Sequence, residues 1–224
     1  MKIVVTGSKG TLGAQIVKNL KEIDNNEILE LDFSLGNDLT NENEVKEFFV
    51  NNHADALINC FVLNDHIHEQ RKNFSFLNYP LENFSRTLKV NVTALFSVCR
   101  EFIKNNHKGN IINFSSIYGY RSPRPSFYPN SNKDPAYGPS KAAVTNLTKY
   151  LAAHAPNFNI NCIVPGGVEN NQPESFKKKY CQDLPIPRLM NRNEIFGIVK
   201  FLLSEEASYC TGSEFFIDGG WNAR

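Results

Sequence analysis

The residues that decide the fold are Ile3-Val4-Val5-Thr6-Gly7-Ser8-Lys9-Gly10-Thr11-Leu12-Gly13. A short apolar run leads into a glycine-containing loop, and the loop opens a stretch whose apolar residues recur at helical spacing. Glycine has no Cβ atom, so the backbone can bend sharply here and approach a ligand closely. The stretch therefore predicts a strand, a tight turn and a helix.

The loop in this stretch is also a candidate phosphate cradle. The first turn of a helix offers unpaired N–H groups and a partial positive charge to an anion. Dinucleotide sites occur at the first strand-to-helix junction of parallel sheets. We predict that the pyrophosphate of a dinucleotide contacts Gly7, Ser8, Lys9, Gly10, Thr11, Leu12 and Gly13. A glycine turn with a purely structural role is the alternative.

Beyond the loop, short apolar runs alternate with amphipathic stretches along the whole chain. The apolar runs predict strands at residues 3–6, 28–32, 56–60, 110–115, 159–164 and 214–217. The amphipathic stretches predict helices at residues 12–22, 43–51, 81–105, 139–153 and 192–203. This alternation is typical of an α/β fold, a doubly wound parallel sheet of about six to seven strands with helices on both faces. We predict a single domain over residues 1–224.

Two proline-rich stretches interrupt this alternation. Residues 121–135 carry Pro123, Pro125, Pro129 and Pro135, and residues 169–189 carry Pro173, Pro185 and Pro187. Because proline disrupts helices and strands, we predict no regular structure in either stretch. Long loops in a compact domain often bind ligands, so we predict substrate loops at about residues 117–136 and 169–190. Plain surface loops are the alternative.

Composition narrows the classes of partner. The net charge of the 224 residues is +1, which predicts no nucleic-acid or anionic-membrane partner. The five cysteines lack metal-ligand spacing, so we expect reduced thiols and no metal site. No signal peptide precedes the first strand, and no apolar run approaches the roughly 20 residues that span a bilayer. We expect a cytoplasmic protein with a small-molecule substrate.

Asp32 and Lys9 bear on which dinucleotide is bound. Asp32 ends the second predicted strand, where a carboxylate accepts hydrogen bonds from both adenosine ribose hydroxyls and repels a 2′-phosphate. Lys9, in the glycine loop, would instead attract a 2′-phosphate. We expect NAD as the cofactor and leave NADP open.

Tyr137 and Lys141 form a candidate proton-transfer pair. They lie four residues apart in Tyr137-Gly138-Pro139-Ser140-Lys141, a spacing that brings both side chains to one face of a helix. A phenol has a pKa of about 10, and a nearby ammonium favours the phenolate. The pair therefore predicts that Lys141 lowers the pKa of Tyr137 toward the working range. Two unrelated residues on a helix surface are the alternative.

Several further motifs accompany this pair. They are Asn91-Val92-Thr93-Ala94, Asn113-Phe114-Ser115-Ser116, Pro165-Gly166-Gly167-Val168 and Ile217-Asp218-Gly219-Gly220-Trp221. With the glycine loop and the tyrosine–lysine pair, this combination resembles the short-chain dehydrogenase/reductase family over essentially the whole chain. The resemblance implies a Rossmann fold and hydride transfer between a nicotinamide and an alcohol or ketone.

The resemblance also implies roles for the catalytic residues. Tyr137 is implied to be the general acid/base, and Ser116 to hydrogen-bond the substrate oxygen. Lys141 is implied to tune Tyr137 and to bind the nicotinamide ribose. Asn91 is implied to hold a water molecule in a proton relay from Lys141.

For the cofactor, the resemblance implies contacts from several strand ends. Val168 is implied to fix the carboxamide through its backbone, and Asp38 to contact the adenine. The remaining implied cofactor contacts are Leu39, Asn59, Pro165, Gly166 and Asn170.

The chain departs from the family pattern in several places. Only a few residues separate Asp32 from Asp38 where the common form has a helix, which predicts that one helix is missing after the second strand. Phe61 and Val62 place bulk where small residues are usual, and the proline-rich insertion separates Ser116 from Tyr137. The insertion and its flanking residues resemble members found in bacterial surface-sugar and flagellin-glycan biosynthesis.

The basic residues of the two loops suggest an anionic substrate. They are Arg121, Arg124, Lys133, Lys177, Lys178, Lys179 and Arg188. We predict an NAD(P)-dependent oxidoreductase acting on a secondary alcohol or ketone of a phosphorylated or nucleotide-linked sugar. The alternatives are a reductase of an acyl or other small carbonyl compound and a non-catalytic NAD(P)-binding regulatory protein. The resemblance also implies a homodimer or homotetramer formed through helices 81–105 and 139–153.

Overall fold

A computed structural model describes residues 1–23, 25–64, 76–128, 133–182 and 184–223. Pro129, one of the prolines in the first predicted substrate loop, lies outside this set. Within the described ranges, no helix has the length and apolar character needed to cross a membrane.

The centre of the molecule is a six-stranded sheet in which all pairs are parallel. Its strands are β1 (Lys2–Thr6), β2 (Glu27–Leu31), β3 (Ala56–Asn59), β4 (Gly109–Phe114), β5 (Phe158–Pro165) and β6 (Glu214–Ile217). Their order across the sheet is β2-β1-β3-β4-β5-β6. The predicted parallel α/β fold is confirmed, with strand bounds within a residue or two of those expected.

Seven α-helices connect or flank these strands in the described residues. They are α1 (Thr11–Lys21), α2 (Glu42–Asn51), α3 (Leu81–Leu88), α4 (Leu95–Asn105), α5 (Tyr137–His154), α6 (Glu174–Cys181) and α7 (Phe196–Leu202). A π-helical segment, Lys89–Ala94, joins α3 to α4. The long helix predicted at residues 81–105 is thus continuous, and its irregularity is a widened turn around Asn91.

Strand order creates a switch point between β1 and β3. From β1 the chain moves outward to β2, and it then returns to the other side of β1 to form β3. Connections leave the carboxyl ends of β1 and β3 toward opposite faces, which opens a crevice between them. The glycine loop follows β1, and so it lies at this crevice.

The helix expected to be missing after β2 is missing. Between β2 and α2 the chain makes a 3₁₀ turn, Phe33–Leu35, and then a tight turn at Asp38. Asp32 caps the 3₁₀ turn, because its side chain accepts a hydrogen bond from the N–H of Ser34. The short connection leaves β2 at the edge of the described sheet.

The prediction that residues 169–189 lack regular structure is wrong. Helix α6 occupies Glu174–Cys181, and Pro173 stands at its N-cap position. Proline disrupts a helix from its interior but is tolerated at its start, and Pro185 and Pro187 follow the end of α6. In the first proline-rich stretch, Pro125–Phe127 forms a short 3₁₀ turn.

Apolar side chains cover both faces of the sheet. On one face Val4, Leu57 and Ile111 pack with helices α2, α4 and α5 through Phe49, Phe102 and Leu151. On the other face Ile3, Val5, Ile58 and Ile112 pack with α1 and α7 through Ile16 and Val199. Burial on both faces explains why these strands are continuous apolar runs rather than alternating ones.

Candidate active site

Gly7 and Gly13 shape the loop after β1. Gly7 has φ +65°, and a Cβ atom there would lie 2.4 Å from the backbone nitrogen of Phe61. A Cβ atom at Gly13 would lie 2.1 Å from the carbonyl oxygen of Gly7. Both positions therefore require glycine, and the loop folds back on itself and against the segment that follows β3.

The start of α1 fits a phosphate group. Helix α1 begins at Thr11, and its N-cap residue, Gly10, provides no side-chain cap. The hydroxyl of Ser8 is buried in this loop and has no hydrogen-bond partner within the described part of the chain. Unpaired helix N–H groups and a buried hydroxyl are donors that phosphate oxygens satisfy. Together with Leu12 in the first turn, these residues form the predicted cradle.

Asp32 lies directly beside the glycine loop. Its Oδ2 accepts a hydrogen bond from the backbone N–H of Lys9 at 3.0 Å, and its Oδ1 accepts from the Ser34 hydroxyl at 2.7 Å. Burial opposes ionisation of this carboxyl, but the hydrogen bonds from Ser34 and Lys9 prevail and lower its pKa. Asp32 is therefore an anion at the position where an adenosine ribose is expected.

The side chain of Lys9 is occupied by Glu30. Its Nζ lies 2.5 Å from Glu30 Oε2, and Lys21 Nζ lies 2.7 Å from Glu30 Oε1. Hydrogen bonds from these two lysines lower the pKa of Glu30. Lys9 thus donates a backbone hydrogen bond to Asp32, and its side chain forms an ion pair with Glu30.

Asp38 and Leu39 lie in the connection between β2 and α2. Asp38 Oδ1 accepts hydrogen bonds from the N–H and the hydroxyl of Thr40 at 2.9 and 2.8 Å. Leu39 packs against the core. The turn holds Asp38 in place through one oxygen.

Asn59, at the end of β3, belongs to a polar network inside the sheet. Its Nδ2 donates to Asn113 Oδ1 at 2.9 Å, and its Oδ1 accepts from the Thr6 hydroxyl at 3.0 Å. Asn113 in turn donates to the Thr148 hydroxyl on α5 at 3.0 Å. The network links β1, β3, β4 and α5. The structure therefore places the Asn59 side chain between strands.

Asn91 faces the segment after β3 and the start of α5. Its Nδ2 donates to the carbonyl oxygen of Leu63 and to the Ser140 hydroxyl, both at 3.0 Å. Its Oδ1 accepts from the N–H of Leu63 at 2.7 Å. The widened turn that carries Asn91 is of a kind often found at functional sites.

Ser116, Tyr137 and Lys141 come together beyond the carboxyl end of β4. Tyr137 is the first residue of α5, and Lys141 lies one turn further on the same side. Ser115 donates its hydroxyl proton to the Lys141 carbonyl at 2.7 Å, which docks α5 onto the end of β4. Lys141 Nζ lies 6.0 Å from the centroid of the Tyr137 ring. The predicted catalytic residues are thus neighbours.

The structure reverses the predicted direction of the tyrosine pKa. Burial raises the pKa of Tyr137 to about 12, against a lowering contribution from the Ser116 hydroxyl. Lys141 Nζ donates to the carbonyl oxygen of Phe114 at 2.7 Å, so its charge is directed at that carbonyl. Burial also lowers the pKa of Lys141, to about 8. Desolvation therefore outweighs the attraction that helical spacing suggests, and the phenol is held protonated.

Lys133 is a site residue that the sequence analysis had placed only among the basic loop residues. Its Nζ lies 4.3 Å from the centroid of the Tyr137 ring and donates to Asn64 Oδ1 at 2.6 Å. Lys133 precedes Tyr137 by the same four residues by which Lys141 follows it. Because Lys133 lies before the first turn of α5, helical spacing does not apply to it, and the sequence carried no signal for this contact.

The segment after β5 is held by α6. Pro165 ends the strand, and Gly166 passes so close to Asp218 that a Cβ atom would lie 2.9 Å from its Cα. The N–H of Gly167 donates to the Tyr180 hydroxyl at 2.6 Å. The carbonyl of Val168 accepts from Gln172 Nε2 at 2.6 Å. These contacts fix the backbone that is predicted to meet the nicotinamide carboxamide.

Asn170 is engaged by Arg192. Arg192 Nη2 donates to Asn170 Oδ1 at 2.7 Å, and Arg192 Nε donates to the carbonyl oxygen of Glu169 at 3.1 Å. The N–H of Asn170 donates to Gln172 Oε1 at 2.7 Å. Its side-chain amide nitrogen is the group that remains suited to a ligand.

An aromatic cluster joins the two predicted substrate loops. Tyr180 stacks on Trp221 with centroids 4.6 Å apart and on Phe176 at 5.6 Å. Phe127, from the first loop, packs edge-on against Phe176 and Trp221 at 6.0 and 5.9 Å. Arg124 lies over the Trp221 ring at 5.5 Å. The cluster therefore fixes α6 and the Pro125–Phe127 turn relative to each other.

Several basic residues of the loops are used by the protein itself. Lys177 pairs with Glu169 at 2.6 Å, and Arg188 pairs with Glu194 at 2.6 Å. Lys179 donates to the carbonyl oxygen of Ser126 at 3.0 Å. These three cations stabilise loop structure.

A parallel sheet with a phosphate cradle at its switch point and an acid–base group beside it defines the dinucleotide-binding α/β class of protein. The family model described as enoyl-(acyl carrier protein) reductase matches residues 1–222. The chain therefore belongs to this family of short-chain dehydrogenases/reductases.

Individual relatives agree with this assignment. Over 190 residues the chain is 30% identical to the 2-dehydro-3-deoxy-D-gluconate 5-dehydrogenase of Bacillus subtilis, covering 80% of this chain and 68% of that one. It is 32% identical over 147 residues to the post-translational flagellin modification protein A of Campylobacter coli, covering 62% of this chain and 57% of that one. It is also 32% identical to glucose 1-dehydrogenase 2 of Bacillus subtilis, covering 62% of this chain and 55% of that one. The chain thus spans less than two thirds of the length of the latter two.

The fold is similar to that of solved structures. A short-chain dehydrogenase from Leptospira borgpetersenii with bound NAD+ superimposes with a TM-score of 0.84 at 28% identity, covering 98% of this chain and 92% of that one.

Proposed function

We propose that this protein is an NAD(P)-dependent oxidoreductase that transfers a hydride between a nicotinamide and a secondary alcohol or ketone. The observation that carries the proposal is the placement of Ser116, Tyr137 and Lys141 together beyond β4, at the same edge of the sheet as the glycine cradle. A protein that only binds a dinucleotide needs no such acid–base group.

The residues of the site perform the proton chemistry of this reaction. In the reductive direction, the Ser116 hydroxyl holds the substrate carbonyl oxygen, and the Tyr137 hydroxyl donates a proton to it. The raised pKa of Tyr137, about 12, keeps that proton in place until the substrate oxygen gains negative charge. Lys141 supplies positive charge 6.0 Å from the centroid of the tyrosine ring, with an ammonium positioned by the Phe114 carbonyl. The nicotinamide supplies or accepts the hydride.

The cradle supports NAD as the preferred cofactor. The Ser8 hydroxyl and the first turn of α1 fit a pyrophosphate, and the ionised Asp32 fits unmodified ribose hydroxyls. Lys9, the residue that would favour a 2′-phosphate, is paired with Glu30, whose carboxylate it shares with Lys21. Val168 and Asn170 line the expected path of the carboxamide.

A phosphorylated or nucleotide-linked sugar of surface-glycan biosynthesis is the substrate we propose. The relative named as a flagellin modification protein and the relatives named for glucose and a deoxygluconate support a carbohydrate. The segments at residues 117–136 and 169–190 would bind it, since their described parts meet in the aromatic cluster beside the site. A homodimer or homotetramer through the continuous helix α3–α4 and through α5 stays a prediction that light scattering tests.

An acyl or other small carbonyl compound is the second candidate substrate. The description of the matching family, enoyl-(acyl carrier protein) reductase, favours it. Turnover of acyl thioesters, with none of sugars, would select this candidate.

The test of the proposed function is Tyr137→Phe. We expect turnover to fall by roughly 10²–10⁴-fold, the contribution of a positioned acid/base, while the affinity for NADH stays within twofold of wild type. Tyr209→Phe is the matched control, because the Tyr209 side chain is fully exposed. Cofactor fluorescence measures binding, and absorbance of the reduced nicotinamide measures turnover. Retained activity in Tyr137→Phe would refute the mechanism.

A further inference from the structure

Lys133 introduces a second ammonium group into the active site. Its Nζ lies 4.3 Å from the Tyr137 ring centroid, nearer than the 6.0 Å of Lys141. The hydrogen bond to Asn64 Oδ1, 2.6 Å long, fixes the ammonium in this position. The two lysines therefore lie on the ring of the tyrosine that we propose to exchange the proton.

The backbone at Lys133 is anchored by its neighbour Asp134. The carboxylate of Asp134 accepts from the Thr87 hydroxyl at 2.9 Å and from the N–H of Ala136 at 2.8 Å. Both oxygens are thereby directed at α3 and at the start of α5. The side chains of Lys133 and Asp134 therefore point in different directions: the Asp134 carboxylate faces the helices, and the Lys133 ammonium faces Tyr137.

The charge of Lys133 is costly where it lies. Its pKa is lowered to about 7, mainly by burial and to a smaller extent by the nearby Lys141, while Asp134 opposes the change. An anion bound beside Lys133 would favour its charged form.

Space for a ligand adjoins Lys133. A cavity of about 520 Å³ lies between the first substrate segment and the start of α5. Its lining includes Tyr118, Arg121, Pro125, Tyr128, Lys133 and Pro139. The cavity has room for a small ligand beside Lys133, and Ser116, Tyr137 and Lys141 are not among its lining residues.

We propose that Lys133 binds an anionic group, a carboxylate or a phosphate monoester, carried by the substrate's own sugar close to the reacting carbon. This inference rests on the proposed function and narrows it. Lysine recognises such a group as a point charge. Because Lys133 lies on the reacting tyrosine, its anion must belong to the sugar that reacts and not to a distant part of a nucleotide-linked substrate.

The test compares neutral and anionic ligands in complexes that cannot react. Calorimetric titration of D-gluconate, D-glucose 6-phosphate and D-glucose into the protein saturated with NADH measures affinity without alcohol oxidation, because the cofactor is already reduced. Constant absorbance of the reduced nicotinamide shows that the open-chain aldehyde of the two glucose ligands is not reduced either. We expect at least one anion to bind roughly 10- to 100-fold more tightly than D-glucose, the size of a hydrogen bond to a charged group. A preference for gluconate identifies a carboxylate, and a preference for the phosphate ester identifies a phosphate.

Two variants and a control test whether Lys133 causes the preference for an anion. Lys133→Met should reduce it to within about twofold of the affinity for D-glucose, and Lys133→Arg should restore most of it. Lys200→Met removes an exposed lysine of α7, outside both predicted substrate segments, and should leave it unchanged. Unchanged thermal unfolding and NADH affinity exclude a folding defect in Lys133→Met. Equal affinity of all three ligands for the wild-type protein, or anion binding that survives in Lys133→Met, would overturn the proposal.

Experiments can distinguish failure of the proposed function from failure of the proposal about Lys133. Tyr137→Phe should lose turnover and keep the anion preference, since it retains the ring that Lys133 contacts. A wild-type protein that binds an anion through Lys133 but oxidises no alcohol would contradict the proposed function and leave Lys133 only as an anion-binding residue.

Discussion

The side chain of Asn91 is hydrogen-bonded to both backbone groups of Leu63, accepting from its N–H at 2.7 Å and donating to its carbonyl at 3.0 Å. The second hydrogen of the amide goes to Ser140 on α5. Phe61, two residues before Leu63, lies against Gly7 of the cradle. Asn91 thus connects the cradle side of the site to the helix that carries Tyr137. Because both amide hydrogens are used, a relay water would need another donor or acceptor near Asn91.

We predict that Asn91→Ala destabilises the protein by about 2–4 kcal/mol. The substitution removes three hydrogen bonds and leaves groups in a half-buried region without their partner. Urea unfolding measures the loss. Asn43→Ala, at an exposed position in the first turn of α2, is the control and should change stability by less than about 0.5 kcal/mol. Equal stability of the two variants would show that the Asn91 contacts contribute little.

Tyr180→Phe should weaken cofactor binding. The Tyr180 hydroxyl accepts the N–H of Gly167 at 2.6 Å, and its loss leaves that N–H unpaired beneath the predicted carboxamide site. We expect a loss of about 1–3 kcal/mol in stability and an affinity for NADH reduced by about 3- to 10-fold. The stacking on Trp221 is retained, so α6 stays docked. Fluorescence titration with NADH, beside Tyr209→Phe, tests this. A change in stability with no change in affinity would mean that Gly167 is not at the cofactor site.

Burial of Lys141 gives stability a specific dependence on pH. Its pKa is lowered to about 8 by burial, against about 10.4 in an unfolded chain. As pH falls from about 10.4 to about 8, the unfolded chain gains a proton that the folded chain does not, so stability falls across this window. Below about 8 the penalty is complete and amounts to roughly 3 kcal/mol.

Lys141→Met should therefore be more stable than wild type at pH 7. The gain is offset by the lost hydrogen bond to Phe114, so we expect a net increase of about 1 kcal/mol in the free energy of unfolding. At pH 10 the difference should vanish or reverse. Urea unfolding at both pH values measures it, with Lys178→Met as the exposed control. A difference independent of pH would contradict the assigned shift.

Much of the fold follows from local sequence. The buried strands are continuous apolar runs ended by polar or glycine residues, as at Asn59 and Gly7, and a parallel sheet covered on both faces produces that pattern. The short interval between Asp32 and Asp38 leaves no room for a helix, which the 3₁₀ turn at Phe33–Leu35 confirms.

The features that sequence did not predict depend on contacts between distant segments. Helix α6 is held by Phe127 and Trp221, which lie far from it along the chain. The prolines of residues 169–189 all lie outside α6, so the number of prolines in the whole stretch was a poor guide to whether a helix forms within it. The four-residue spacing predicted that Lys141 lies near Tyr137. The burial of Tyr137 and the hydrogen bond from Lys141 to the Phe114 carbonyl depend on tertiary structure and could not be predicted from spacing. These two properties decide the direction of the tyrosine pKa.

Because Glu30 pairs with Lys9, we predict that a substitution at Glu30 changes the preference between NAD and NADP. Glu30 lies on β2 beside Asp32, and Lys9 and Lys21 share its carboxylate at 2.5 and 2.7 Å. Glu30→Gln removes the negative charge that pairs with Lys9 and Lys21 and leaves Asp32 in place. The Lys9 ammonium is then available to the 2′-phosphate of NADP. We expect the ratio of NADPH to NADH affinity to rise by about 5- to 10-fold, the value of roughly 1 kcal/mol of charge attraction at a partly exposed site.

A matched variant on the same strand controls this prediction. Glu27→Gln removes an exposed carboxylate that pairs with Lys2 at 3.1 Å, away from the cradle, and should leave the ratio unchanged. Fluorescence titration with both reduced cofactors at two salt concentrations measures the ratio, and the gain in Glu30→Gln should shrink at the higher salt because exposed charges are screened. If Glu30→Gln and Glu27→Gln give the same ratio, Lys9 does not reach the 2′ position, and Asp32 alone sets the preference for NAD.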